Sequence, residues 1–177
     1  MGVPLSDTFA ARAPGAGDMF LSVSGSKAGA IAGEAHDSAH KNEIEVLGWS
    51  WGMQGRRDLG GGGQATGRAT VRELTILKRV DKASTALMSA LRTNEAIKAK
   101  LTLRKTGKSQ LEFLTIEIED GRVNSVDIEG GDVSGGSALI ERIAFTFNKI
   151  TVTYVPQGPD GRAQGATSFN DTWSAAS

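Results

Sequence analysis

The stretch "EIEVLGWSWGMQG", residues 43–55, alternates apolar and polar side chains but changes phase midway. Ile44 and Val46 occupy even positions, while Trp49, Trp51 and Met53 occupy odd ones. Successive side chains of a strand point to opposite faces, so the two sets would face opposite ways. One extra residue at Leu47-Gly48 returns both to a single face. A β-bulge supplies it, and glycine favours one. The stretch therefore reads as a bent, twisted strand whose core stripe passes through both tryptophans. Strands of this kind curl a sheet toward a barrel.

Alternation elsewhere predicts more strands. Asp18–Ser24 carries Met19, Leu21 and Val23 on one face, and 69–80 reads as another strand. Residues 145–154, "FTFNKITVTY", read as a hairpin with a turn at Asn148-Lys149. That register sets Phe147 against Ile150, Phe145 against Val152 and Ile143 against Tyr154. Segment 97–119 reads as a second hairpin around Gly107-Lys108, pairing Leu101 with Leu114, Ala99 with Ile116, and Lys98 with Glu117. Asp120-Gly121 reads as the turn of a third, pairing Ile118 with Val123.

The meander so built has a second apolar set, Leu111, Phe113, Val126 and Ile128, with Phe113 placed opposite Ile128. Either the strands contain bulges, or this is a second buried surface against the helix or a neighbouring subunit. The one helix is expected in "DKASTALMSALRTNE" (81–95), capped by Asp81 or Ser84 ahead of Leu87, Met88 and Leu91. The fold class is mainly β: a small antiparallel barrel of roughly nine strands with one short α-helix. Its core is expected to hold Ile44, Val46, Trp49, Trp51, Ile143, Phe145, Phe147, Ile150, Val152 and Tyr154.

The 177 residues suffice for one domain. Residues 1–17, rich in Ala, Gly and Pro, read as a flexible extension without the features of a Sec signal. Residues 18–160 read as the barrel domain, and 161–177 as a C-terminal segment with scope for mobility. Twenty basic and twenty acidic residues cancel, which removes a broad drive toward nucleic acid or anionic membrane. No apolar run has a membrane helix's length of about 20 residues. The absence of cysteine excludes thiolate metal sites and Cys nucleophiles.

Other chemistry is thin. His36 and His40 are four apart, as on a zinc-binding helix, but no helical periodicity surrounds them. No G-x-S-x-G accompanies them, and the reading is no catalytic residue, no metal and no cofactor. "GRRDLGGGGQATGR" (55–68) lacks a phosphate-loop pattern and reads as a long loop between strands. Trp49 and Trp51 could alternatively form the ligand platform of a small secreted binding module. Lys98, Lys100 and Arg104 read as a solvated basic strip.

Taken in order, "DMFLSVSG" (18–25), "GEAHDSAH" (33–40), "EIEVLGWSWGMQ" (43–54), "VDKAST" (80–85) and "ERIAFTFNKITVTY" (141–154) resemble the Hcp family, the haemolysin-coregulated tube proteins of bacterial type VI secretion. Thr85 stands where that family's helix usually carries proline. The resemblance implies a non-enzymatic protomer that closes into homo-hexameric rings. Rings would stack into a hollow tube that works with contractile sheath and spike and carries effector proteins in its lumen. It implies assembly in the cytoplasm, then secretion without a cleaved signal peptide and without membrane insertion. Within that frame the loop with Arg56, Arg57, Asp58, Leu59 and Gln64 is expected to touch the adjacent ring. Leu111, Phe113, Val126 and Ile128 are the expected subunit-interface candidates.

Overall fold

The computed structural model describes residues 17–55, 69–106, 110–133 and 136–173. Eleven strands and one helix follow in the order β1 (Asp18–Gly25), β2 (Gly29–Ile31), β3 (Ile44–Ser50), β4 (Met53–Gln54), β5 (Thr70–Val71), β6 (Leu74–Arg79), α1 (Ala83–Arg92), β7 (Ile97–Arg104), β8 (Glu112–Val133), β9 (Gly136–Thr146), β10 (Lys149–Tyr154) and β11 (Thr167–Thr172). Six strands close a barrel in the order β8-β7-β1-β3-β6-β9, with β9 returning to β8. Strands β10 and β11 continue the sheet outward from β8, β2 adds to β1, and β4 pairs with β5. The long strand expected over 69–80 is divided, because Arg72 and Glu73 separate β5 from β6.

The bulge in β3 lies where the phase break put it. Val46 faces Lys78 and Gly48 faces Leu77, which leaves Leu47 as the extra residue. Trp49 then faces Ile76, whose side chain is fully buried.

The three predicted hairpins need correction. β9 and β10 do not pair with each other. Both pair with β8 in one continuous register: Phe145 faces Val123, Thr146 faces Arg122, Lys149 faces Glu119 and Val152 faces Ile116. Phe147-Asn148 is a short break in a long partner of β8, not a turn. The second hairpin has the right strands, but its register is displaced by two residues. Leu101 faces Ile116, Ala99 faces Ile118, and the ion pairs are Lys98–Glu119 at 3.5 Å and Lys100–Glu117 at 3.2 Å. A shift of two preserves every face and changes every partner. The expected turn residues Gly107 and Lys108 lie outside the described residues, and on either side of them Lys105 N–H donates to Leu111 O at 2.9 Å.

At Asp120-Gly121 the chain does not turn. β8 runs straight through, with Asp120 at φ 48° and Gly121 facing Ile97, while Ile118 faces Ala99. The dipeptide forms a bulge, and a second lies at Asn124 between Val123 and Ser125. Phe113 and Ile128 therefore lie on one strand and are not opposite each other. The phase changes of β8 are those two bulges.

The helix is capped reciprocally. Asp81 Oδ1 accepts the Ala83 N–H at 3.0 Å, and Ser84 Oγ accepts the Asp81 N–H at 3.0 Å. Asn94, at φ 50°, lies just beyond its C-terminus. Ala83, Leu87 and Ala90 are buried as the helix packs on β8 and β2.

Of the expected core, Ile44, Val46, Ile143, Phe145 and Ile150 are buried. Trp49, Trp51, Phe147 and Val152 are partly buried against it, whereas Tyr154 is 46 % exposed. Residues 167–172 of the C-terminal segment form a regular strand along β10.

Candidate functional site

Among the described residues, the outer face of β1, β7, β8, β10 and β11 is the most distinctive. Three rows cross it. Ser22, Lys100, Glu117, Thr151 and Asn170 are neighbours in register, as are Thr115, Thr153 and Ser168 beside them. A further row holds Ser24, Lys98, Glu119, Lys149 and Thr172. Each of the three lysines on this face has a glutamate partner. Glu119 takes Lys149 at 2.5 Å and Lys98 at 3.5 Å, and Lys149 beside it holds its carboxyl below the usual range. Cross-strand pairs of this kind suit a face that stays in water.

One end of the face is covered. The 33–43 loop folds back on itself, with Gly33 N–H donating to Asn42 O at 2.7 Å and Ala35 N–H to Glu43 O at 2.9 Å. Gly33 is required there, because a Cβ would overlap the Glu43 carbonyl. The loop delivers Asp37 to Arg104. Guanidinium nitrogens donate to Asp37 Oδ1 at 3.0 Å and Oδ2 at 2.6 Å, and to Asp18 Oδ2 at 3.0 Å. The bidentate bond to Arg104 holds the Asp37 carboxyl at about 2, and both carboxylates push the Arg104 pKa upward.

His40 stacks on Phe20 with ring centroids 4.3 Å apart, and Arg104 lies 5.2 Å from the same ring centroid. The His40 Nδ1 is 3.0 Å from Glu43 Oε2, and Nε2 is 3.3 Å from Glu112 Oε1. Arg104 is thus 5 % exposed and does not belong to a solvated strip; Lys98 and Lys100 do. His36 is exposed and His40 buried, so the two histidines do not converge. Among the described residues no group of three or more His, Asp or Glu side chains could hold a metal ion.

At the helix start the barrel buries a charge network that alternation alone could have flagged. Lys78 and Glu141 fall on the inward parity of Leu74-Ile76-Lys78 and Glu141-Ile143-Phe145. Both are fully buried, with Nζ 2.6 Å from Glu141 Oε2. Lys78 also donates to Asp81 Oδ1 at 2.7 Å and Ser84 Oγ at 3.0 Å, while Ser84 donates to Glu141 at 2.5 Å. These bonds tie the helix cap to β6 and β9.

Of the interface candidates, Leu111, Phe113 and Val126 are half-buried and Ile128 is 45 % exposed. Phe113 lies under Lys105 Nζ, 5.8 Å from the ring centroid. The loop candidates Arg56, Arg57, Asp58, Leu59 and Gln64 lie outside the described residues. The tryptophans do not form an open platform: both pack on the core, and Trp51 Nε1 is buried.

The fold so described is a closed antiparallel barrel with an added sheet edge and a charge-paired outer face. The family model described as "Type VI secretion system effector, Hcp" matches residues 20–154, and the chain belongs to the Hcp family. Protein hcp1 of Pseudomonas aeruginosa is 39 % identical over 151 residues, 84 % of this chain and 89 % of that protein. The major exported protein of the same organism is 27 % identical over 158 residues, 80 % of this chain and 91 % of its own length.

Among solved structures, a type six secretion system protein superposes with a TM-score of 0.76 at 29 % identity, covering 89 % of this chain and 96 % of its own. A type VI secretion system effector from Yersinia pestis gives 0.67 at 32 % identity, covering 88 % and 99 %. The chain is accordingly a type VI secretion tube component, a secreted structural protein, and the binding-module alternative is not favoured. Among the described residues no helix is long and apolar enough to cross a membrane.

Proposed function

We propose that six copies of this chain close into a ring and that rings stack into a tube with a lumen wide enough for protein cargo. The charge-paired, hydroxyl-rich face of β1, β7, β8, β10 and β11 lines that lumen, and it is the observation that carries the reading. A wall that passes cargo must stay wetted and offer neither an apolar patch nor unpaired charge to hold it. Lys98, Lys100 and Lys149 are each matched to Glu117 or Glu119 on this face. The role is structural and not enzymatic. Assembly takes place in the cytoplasm, sheath and spike act on the finished tube, and export needs no cleaved signal peptide.

Residues 55–67, with Arg56, Arg57, Asp58, Leu59 and Gln64, touch the adjacent ring. Light scattering on a gel-filtration column tests both levels. The intact chain should elute at six times the chain mass, with stacked multiples at high concentration. Deleting 56–63 should remove the multiples and keep the ring. A monomeric intact chain would overturn the ring, and loss of the ring on deletion would overturn the stacking role.

A further inference from the structure

Phe20 falls on the polar face of its strand. Met19, Leu21 and Val23 share the other face of β1, and Phe20 lies opposite Thr102 of β7. An aromatic side chain there needs cover, and it is only 5 % exposed. The 33–43 loop supplies the cover with His40, whose imidazole stacks on the Phe20 ring. An apolar residue would serve for cover alone. The imidazole brings two nitrogens, and each faces a carboxylate. Nδ1 lies 3.0 Å from Glu43 Oε2 within the loop, and Nε2 lies 3.3 Å from Glu112 Oε1 at the first residue of β8. Nε2 is buried and makes no aligned hydrogen bond among the described residues.

A neutral imidazole donates from one nitrogen and carries a lone pair on the other, while a carboxylate only accepts. Either neutral tautomer therefore turns a lone pair toward a carboxylate. Only the imidazolium presents a proton to both. The surrounding charges favour that form. Asp18 comes from β1, Arg104 from β7, Glu112 from β8, and Asp37 and Glu43 from the loop itself. Arg104 is already bonded to Asp18 and Asp37. Of the other basic groups nearby in sequence, His36 and Lys41 are exposed and the Lys105 ammonium goes to the Gln157 side chain. Four carboxylates thus meet one guanidinium, and a second cation at His40 offsets the cost of burying it.

We infer that His40 is a proton-operated tie between the 33–43 loop and the start of β8, closed while the imidazole carries both protons and opened when it loses one. The tie lies within one copy of the chain and does not depend on assembly. The loop stays in place on opening. Arg104 holds it to β1 and β7 through Asp37 and Asp18, and the Gly33 and Ala35 N–H bonds keep it folded. What parts from it is Glu112 and the strand end that follows. Histidine changes charge between about pH 5 and 8, a range in which Asp37, held at about 2, stays ionised. Order contributed by a bonded imidazolium is present at the acid end of that range and lost as pH rises.

Amide hydrogen exchange of the full chain, read by NMR and corrected for the intrinsic rate at each pH, tests the tie. Protection at Glu112–Leu114 should fall about threefold from about pH 5 to about pH 8, the scale of a half-exposed ion pair. Protection in β6, which pairs with β3 and β9, should not change. Glu112→Gln keeps the shape and removes the charge, and it should abolish the difference. His40→Gln, which cannot titrate, should do the same. Should His40→Gln fail to fold, Glu112→Gln carries the test alone, since that side chain is 45 % exposed. Equal protection at both pH values in the intact chain overturns the tie. An undiminished fall in Glu112→Gln overturns it too, because the titration then acts elsewhere. A fall shared by β6 reports loosening of the whole barrel and equally overturns a local tie.

Discussion

Replacing Lys78 by methionine removes the cation from the buried network and leaves Glu141 behind it. Lys78 and Glu141 have no solvent exposure, and their charged atoms are 2.6 Å apart. Without the ammonium, Glu141 Oε2 keeps, among the described residues, only the Ser84 hydroxyl at 2.5 Å, and Oε1 has no hydrogen-bond partner among them. Asp81 at the same time loses its 2.7 Å ion pair at the helix cap. Breaking a buried pair by removing one member costs about 3–5 kcal/mol, because a charge is left without solvation or partner. Against a total of about 5–15 kcal/mol that is a large fraction. For a chain of this size it corresponds to a fall in Tm of roughly 6–20 °C.

The second half of the test is Glu141→Leu alone and together with Lys78→Met. If the penalty is uncompensated charge, the double variant should recover at least half of the Lys78→Met loss. Urea denaturation followed by tryptophan fluorescence measures all three. A Lys78→Met loss below about 1 kcal/mol, or a double-variant cost equal to the sum of the singles, would refute the reasoning.

Two further outcomes concern the loops. Asp37 has a carboxyl held at about 2 by Arg104, below an unfolded value near about 3.9. A lowered folded pKa contributes stability that is fully present above about pH 4 and is lost as pH falls toward 2. The urea midpoint should decline through that window, and less steeply in Asp37→Asn; equal slopes would remove Asp37 from the account. Gly25→Ala would place a Cβ onto Glu95 Oε1, which accepts the Lys27 and Ala28 N–H groups of the β1–β2 turn. Overpacking there should cost roughly 1–3 kcal/mol by the same urea assay, and an unchanged midpoint would show that Glu95 moves freely aside.

The bulge in β3 was legible because a change of phase within one strand is a local signal: Val46 and Trp49 cannot share a face otherwise. Partnership was not legible. Alternation in 145–154 states which side chains face inward, and this holds whether β10 pairs with β9 or with β8. The folded chain takes the second course, and Phe145 and Ile150 are buried either way. Asp120-Gly121 misleads for a related reason. A tight hairpin and a bulge both use a residue at positive φ, and the dipeptide supplies it to either.

The Arg104–Asp37 clasp joins residues 67 apart in sequence, and a lone arginine on a strand's polar face gives no sign of a partner on a distant loop. Lys78 and Glu141 were different. Their inward parity was present in the sequence, and a charged residue on a buried parity is itself the signal of a second one.

Those observations converge on β8, which takes part in both halves of the barrel. Its first half, beside β7 and β10, contributes Thr115, Glu117 and Glu119 to the outer face; its second half, beside β9, carries Ile128. Bulges bend a strand and increase its twist, so Asp120 and Asn124 govern how one half is directed relative to the other. Asp120 is fixed in that position by Asn148 Nδ2 at 2.6 Å and by Arg122, and these bonds hold its carboxyl below the ordinary range. Asn148 in turn belongs to the break between β9 and β10, the two successive partners of β8. A single side-chain bond therefore joins the bend of β8 to the bend of its partner. The courses of β9 and β10 along β8 are set together.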